Sequence, residues 1–270
     1  MDLQILAGYM AALVIGISLG LIGAGGSILT VPVLVYLLGV EPVLSTAYSL
    51  FIVGTTALIG SFDYMRKQLV NYKAAVIFAV PSFIAVFLTR KFIVGAIPDT
   101  LFSIGSFTIT KPIGLMLFFA LIMALASFSM IRSGQKKDAT AADESVQPAF
   151  NLPMIAIEGF VVGILTGLVG AGGGFLIIPA LVLFAKLPMK MAVGTSLLII
   201  AAKSLIGFTG DIGSQPIDWK FLFTFTSLPI VGIFIGAWLT KFISGEKLKK
   251  GFGWFVLFMA AYMIYKELTR

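Results

Sequence analysis

Two stretches of this chain have backbones able to do chemistry: Gly23-Ala24-Gly25-Gly26-Ser27 and Gly170-Ala171-Gly172-Gly173-Gly174. Each follows a long apolar run and precedes a short apolar run that soon reaches a proline, Pro32 or Pro179. Glycine has no Cβ, so it accepts backbone shapes other residues resist and lets another group come close. The N–H groups at the start of a new helix have no intrahelical partner and lie at the positive end of the helix dipole, which makes that end an anion site. Two such ends meeting near a bilayer midplane would cradle a small anion without a full charge. The same glycines also serve close helix packing. Two copies, each beside a short segment and a proline, favour a paired substrate site instead. No soluble βαβ unit surrounds either stretch, so a dinucleotide fingerprint is excluded.

Hydroxyls on the following spans can add donors. Ser49 is matched by Ser196, with Thr195 beside it, and Thr55 and Thr56 lie further along the first of these spans. Any one of them can instead bond back to its own helix. Lys203 stands alone in an apolar span, opposite Thr56 in the repeat; a charge at that depth is costly and is a functional candidate, with snorkelling toward Gly210-Asp211 as the alternative. Glu158, aligned with Ala11, is placed either to carry a coupling proton or in the interfacial first turns of its helix, and the interfacial reading is favoured. Asn71-Tyr72-Lys73 and Asp218-Trp219-Lys220 read as helix caps with an interfacial aromatic and a snorkelling lysine. The chain has no Cys and no His. That excludes disulfides, thiol and His-based acid–base chemistry and the usual zinc sites, and the spans offer no paired carboxylates for an intramembrane enzyme.

These residues need helices in a membrane to position them. The chain is 59% hydrophobic and only 11% charged, with a mean hydropathy of +1.06, against roughly 25% charged residues in a soluble domain. The expected class is an all-α polytopic membrane protein. Its net charge of +7 reads as cationic loops at a lipid surface, with no pattern for nucleic acid. Expected full spans are 3–22, 43–62, 74–88 extending toward 92, and 113–131, then 153–169, 189–208, 219–243 and 251–265. The segments 28–38 and 175–185 are too short to cross about 30 Å of hydrocarbon as unaided helices at about 1.5 Å per residue. One offset aligns Gly20 through Leu29 with Gly167 through Leu176, and also Ser49-Leu50 with Ser196-Leu197 and Leu58-Ile59-Gly60 with Leu205-Ile206-Gly207. The chain therefore divides into a first transmembrane repeat at 1–131, a hydrophilic linker at 132–152 and a second repeat at 153–270, each repeat having four long helices and one short half-helix.

If the short segments cross, the repeats are inverted. Arg66, Lys67, Lys73, Arg132, Lys136, Lys137, Lys186, Lys190, Lys241, Lys247, Lys249 and Lys250 then share one side, facing Arg90, Lys91, Lys111, Lys220, Lys266 and Arg270 in loops on the other. The richer side would be cytoplasmic, with both termini outside. If the segments are re-entrant, the repeats are parallel and the asymmetry is weaker. The charge bias favours inversion.

The paired Gly-Ala-Gly-Gly motif, the proline in each short segment and the closing Ile217-Asp218-Trp219-Lys220 resemble the TauE/SafE family of sulfite exporters and related anion permeases. The resemblance covers nearly the whole chain. It implies a multi-pass transporter of the cytoplasmic (inner) membrane that exports small sulfur-containing or organic anions such as sulfite, sulfoacetate or thiosulfate, driven by a gradient of H+ or Na+. No cofactor and no metal are expected, the partners being the anion, the coupling ion and membrane lipid, and the sequence gives no oligomeric state. A passive anion channel is the alternative, followed by a membrane scaffold. The expected substrate contacts are Gly23, Ala24, Gly25, Gly26, Ser27, Ser49, Gly170, Ala171, Gly172, Gly173, Gly174, Thr195, Ser196 and Lys203. The resemblance assigns no role to Lys203, which rests on its burial cost alone.

Overall fold

The computed structural model describes residues 3–23, 26–104, 107–133, 152–169, 177–178, 181, 185, 187–239, 242 and 245–269. Helix α1 is Leu3–Ile22 and ends at Gly23, whose φ of +78° turns the chain. The short helix α2, Ser27–Leu37, begins α-helical and finishes in a π-helical stretch, Val33–Leu37. Helix α3 is Pro42–Arg66, capped by the Glu41 carboxylate, which accepts from the Leu44 N–H. Helix α4, Tyr72–Ala96, is capped by Asn71 and carries a second π-helical stretch, Thr89–Ile93. Then follow α5 (Lys111–Ser133), α6 (Leu152–Val169), α7 (Met189–Thr209), α8 (Trp219–Leu239) and α9 (Gly245–Leu268).

Among the described residues, five helices are long and apolar enough to cross a membrane: α1, α3, α4, α7 and α8. Shorter apolar helices lie at Ser27–Leu37, Lys111–Leu125 and Pro153–Val169. In α3 and α7, 72% of the most apolar window is buried, against 39% in α1, α4 and α8, so α3 and α7 form the centre and the other three face lipid. The exposed residues of those outer helices are large and apolar, among them Met10, Val76, Ile84, Phe234 and Trp238. In water such surface would be a liability; in hydrocarbon it is solvated.

Two sequence expectations need correction. The chain is not all-α: Thr100–Ile104 (β1) pairs antiparallel with Phe107–Thr110 (β2) between α4 and α5. Both strands are rich in β-branched and aromatic residues, which suit a pleated surface. Arg90 is not a loop residue: α4 continues helically past Leu88, and Arg90 is only 3% exposed. No proline stands between Leu88 and Ile97, so the helix runs on past Leu88, in the π-helical pattern over Thr89–Ile93.

The helices pair by small-residue crossings. A Cβ at Gly16 or Gly20 of α1 would strike the Pro229 or Ile233 carbonyl oxygen of α8, and one at Gly163 of α6 would lie 2.6 Å from the Ser82 carbonyl oxygen of α4. A Cβ at Gly167 would lie 2.6 Å from Thr89 Cβ and 3.1 Å from the Val86 carbonyl oxygen. The offset that carries Gly23 onto Gly170 carries Gly16 onto Gly163, Gly20 onto Gly167 and Ser82 onto Pro229. The α1–α8 and α6–α4 crossings are thus the same contact made twice, and in both the helices run the same way. Hydrogen bonds repeat too. The Asp218 N–H donates to the Tyr48 hydroxyl at 2.8 Å and the Asn71 N–H to Thr195 Oγ1 at 2.9 Å, each tying the start of a peripheral helix to a central one. The two central helices, α3 and α7, run in opposite directions. Gly54 packs on Leu205, Gly60 lies near Leu197 and Gly194 meets Tyr64.

Candidate functional site at the end of α6

Of the first glycine stretch, Gly23, Gly26 and Ser27 are described. Gly23 takes the left-handed conformation that favours glycine, its N–H donates to the Leu19 carbonyl at 2.7 Å, and a side chain there would run into Val193 of α7. Gly26 packs on the Ile15 carbonyl of α1, and Ser27 begins α2, fully buried. Ala24 and Gly25, and all of Gly170, Ala171, Gly172, Gly173 and Gly174, lie outside the described residues.

The hydroxyls divide by partner. Ser196 bonds back to the Val193 carbonyl at 2.8 Å and Thr56 to Ile52 at 2.6 Å, both within their own helices. Thr195 holds the Asn71 N–H. Ser49 is fully buried and has no hydrogen-bond partner among the described residues. The structure therefore brings the named hydroxyls onto the central helices but binds most of them to backbone.

Lys203 is fully buried and does not snorkel. Its Nζ donates to Thr166 Oγ1 of α6 at 2.9 Å, and no carboxylate reaches it among the described residues. Thr166 sits in the last turn of α6, just before the second glycine stretch. The next residue, Gly167, is held by a second buried cation. Arg90 NH1 donates to the Gly167 carbonyl at 3.2 Å and to Thr46 Oγ1 of α3 at 2.7 Å. The other edge of the guanidinium grips Asp211, just beyond α7: Nε donates to Oδ1 at 3.0 Å and Oδ2 at 2.8 Å, and NH2 to Oδ1 at 2.7 Å. Burial pushes the Asp211 carboxyl above its ordinary range, and the charge and hydrogen bonds of Arg90 act against that push. Thr89, beside Arg90, packs over Gly167 with its hydroxyl buried and unpartnered among the described residues.

Four helices thus meet at one end of the molecule through two buried cations and one buried carboxylate. Arg90, Asp211, Thr46 and Thr166 were not among the residues expected from sequence. Their one signal was the unbroken helical run through Arg90; the partners lie far apart in the chain, and only folding brings them together. Glu158, eight positions before Thr166 on α6, lies about 12 Å away along the helix and does not pair with Lys203. A separate cavity of about 480 Å³, lined by Val35, Tyr36, Glu41, Pro42 and Lys266 among others, shares no residue with this cluster.

Charges kept inside a bundle of membrane-length apolar helices mark a transport pathway more often than a scaffold. The helices are those of a multi-pass membrane protein, and the buried cluster is the feature a transport pathway would use. Residues 9–263 match the family model described as "Sulfite exporter TauE/SafE", and the chain belongs to that family. A "Probable membrane transporter protein" of Xylella fastidiosa (strain 9a5c) is 30% identical over 257 residues, covering 94% of this chain and 92% of that protein. "Probable membrane transporter protein YunE" of Bacillus subtilis (strain 168) is 30% identical over 228 residues, 79% of this chain and 81% of that protein. "Probable membrane transporter protein MJ0441" of Methanocaldococcus jannaschii is 39% identical over 118 residues, 42% of this chain and 44% of that protein. No solved structure matches the chain. The protein is a multi-pass protein of the cell membrane.

Proposed function

We propose that the protein is a secondary transporter exporting small sulfur-containing or organic anions, such as sulfite, sulfoacetate or thiosulfate, through a site where the paired glycine stretches approach the central helices. The observation that carries this reading is Lys203: fully buried and bonded only to Thr166 among the described residues, Thr166 standing four residues before the second glycine stretch in the sequence. An amine in that position without a carboxylate offers N–H donors to an anion, whose arrival favours its protonation. The N–H groups of the second glycine stretch, with Ser49 as a further donor, would complete the cradle; Gly23 of the first stretch packs on Val193, about 15 Å from Lys203 along α7.

The architecture belonging to this reading is two inverted repeats, 1–131 and 153–270, joined by the linker 132–152. Support comes from α3 and α7, which occupy equivalent places yet run in opposite directions. Repeats of parallel topology would send them the same way. The separation of Glu158 from Lys203 agrees with inversion, as does the loop charge bias.

The test is sulfite efflux from proteoliposomes. Gly25→Val, Gly172→Val and Lys203→Met should each reduce flux at least tenfold while the protein still inserts. Normal flux in all three would refute the site. Accumulation against a gradient, abolished by a protonophore, separates a coupled transporter from a passive anion channel.

A further inference from the structure

The repeat contains a control for what its helix crossings need. The α1–α8 crossing, flanked by α3, and the α6–α4 crossing, flanked by α7, form the same glycine contacts. Their side chains differ. Where the second crossing has Arg90, Asp211, Lys203, Thr166 and Thr89, the equivalent places hold Ala237, Tyr64, Thr56, Leu19 and Gly236. Close packing is achieved at both, so it does not require the ion pair. A buried ion pair also adds little net stability over apolar groups of similar size. Something other than packing accounts for charges at one end only.

The geometry of the pair suggests what that is. Asp211 approaches the Nε–NH2 edge of Arg90 and places both carboxylate oxygens on it. This edge recognises any group bearing two oxygens on one atom: a carboxylate, a sulfite or a sulfonate. The opposite edge is anchored to Thr46 and the Gly167 carbonyl, which fixes the guanidinium whether or not Asp211 is present. Lys203 is bonded to the residue next to Gly167, and the Thr89 hydroxyl stands unpartnered among the described residues over the same turn.

We propose that Arg90 is a binding residue for the transported oxyanion, and that Asp211 is its internal competitor. Passage is an exchange: the oxyanion takes the Nε–NH2 edge as the Asp211 carboxylate leaves it, and Asp211 returns when the oxyanion departs. Asp211 thereby limits how long the anion stays. This rests on the oxyanion-transport reading above. It narrows the substrate to anions that offer two oxygens on one atom and excludes halides from this step.

The experiment measures binding of sulfite, sulfoacetate and chloride to the purified full-length protein, with sulfite flux in proteoliposomes read in parallel. Asp211→Asn should tighten sulfite and sulfoacetate binding about tenfold, leave chloride unchanged and slow sulfite turnover. Arg90→Gln should weaken oxyanion binding at least tenfold. The double variant Arg90→Gln/Asp211→Asn, which restores neutrality as in the other repeat, should stay folded and bind oxyanions as weakly as Arg90→Gln alone. A double variant that binds and transports sulfite like the unaltered protein would overturn the proposal, leaving a structural clasp. So would an Asp211→Asn protein with unchanged affinity. Absence of sulfite flux in the unaltered protein would instead count against the transport reading, a distinct result.

Discussion

Lys203 and Arg90 reach the same turn of α6 from different helices, and their single-residue variants should behave differently. Lys203→Met replaces a charge by an apolar chain of similar reach. It should leave the thermal midpoint unchanged or raised, because the desolvation cost disappears, while anion flux falls at least tenfold. Midpoint and flux measured on one preparation check this; equal losses in both would mean Lys203 is only structural. Arg90→Ala leaves Asp211 buried without a partner and should cost about 3–5 kcal/mol, most of it recovered when Asp211→Ala is added. Chemical denaturation of the two variants tests that recovery. Lys203 was legible in the sequence because a charge interrupts an apolar run. Arg90 was not, because Arg90-Lys91 beyond an apolar run looks like an interfacial basic pair. Asp211, beside Gly210, looks like a turn residue. What makes them a pair is the meeting of α4 with α7, which no local pattern encodes.

The helix crossings obey a size limit that is readable at the level of elements. Gly16 and Gly20 on α1, and Gly163 on α6, face backbone of α8 and α4, which cannot move aside for a new methyl group, while Gly167 faces the Thr89 side chain. Gly16→Val or Gly163→Val should lower stability by about 1–3 kcal/mol or more through overpacking. Gly95→Ala, near the end of α4 with open space around it, should be neutral or slightly stabilising. Thermal unfolding of the three variants in one detergent would decide this, and an indifferent Gly16→Val would refute the crossing. The glycines were visible in the sequence as breaks, and the first break does lie at Gly23 after Ile22. Packing was the alternative use considered there, and it describes Gly16, Gly20, Gly163 and Gly167, which were not singled out. The paired strands between α4 and α5 fall outside the expected spans, and their β-branched and aromatic composition is the local signal for them.

For the whole molecule the decisive matter is the direction of the two halves. The absence of cysteine allows single labels on an otherwise unreactive chain. Gln68, in the α3–α4 turn, and Ser214, in the α7–α8 turn, are both exposed. In the inverted architecture Gln68→Cys and Ser214→Cys should react with a membrane-impermeant maleimide from opposite sides of the bilayer. Labelling of both from one side would favour parallel repeats. The offset that aligns the two halves is plain in the sequence and holds across most of each. Direction was left to loop charge, a bias that weighs residues such as Arg90 as surface charges when it is buried.

The unequal charging of two like crossings has a thermodynamic consequence. Separating Arg90 from Asp211 at one end exposes ions, whose mutual attraction is screened by electrolyte once water enters. Separating the equivalent helices at the other end exposes the surroundings of Ala237, Leu19 and Gly20, a largely apolar surface whose hydration carries a large heat capacity. The two ends therefore answer to different variables, one to ionic strength and the other to temperature. Two crossings that share their glycine contacts thus give the protein a direction in its energetics.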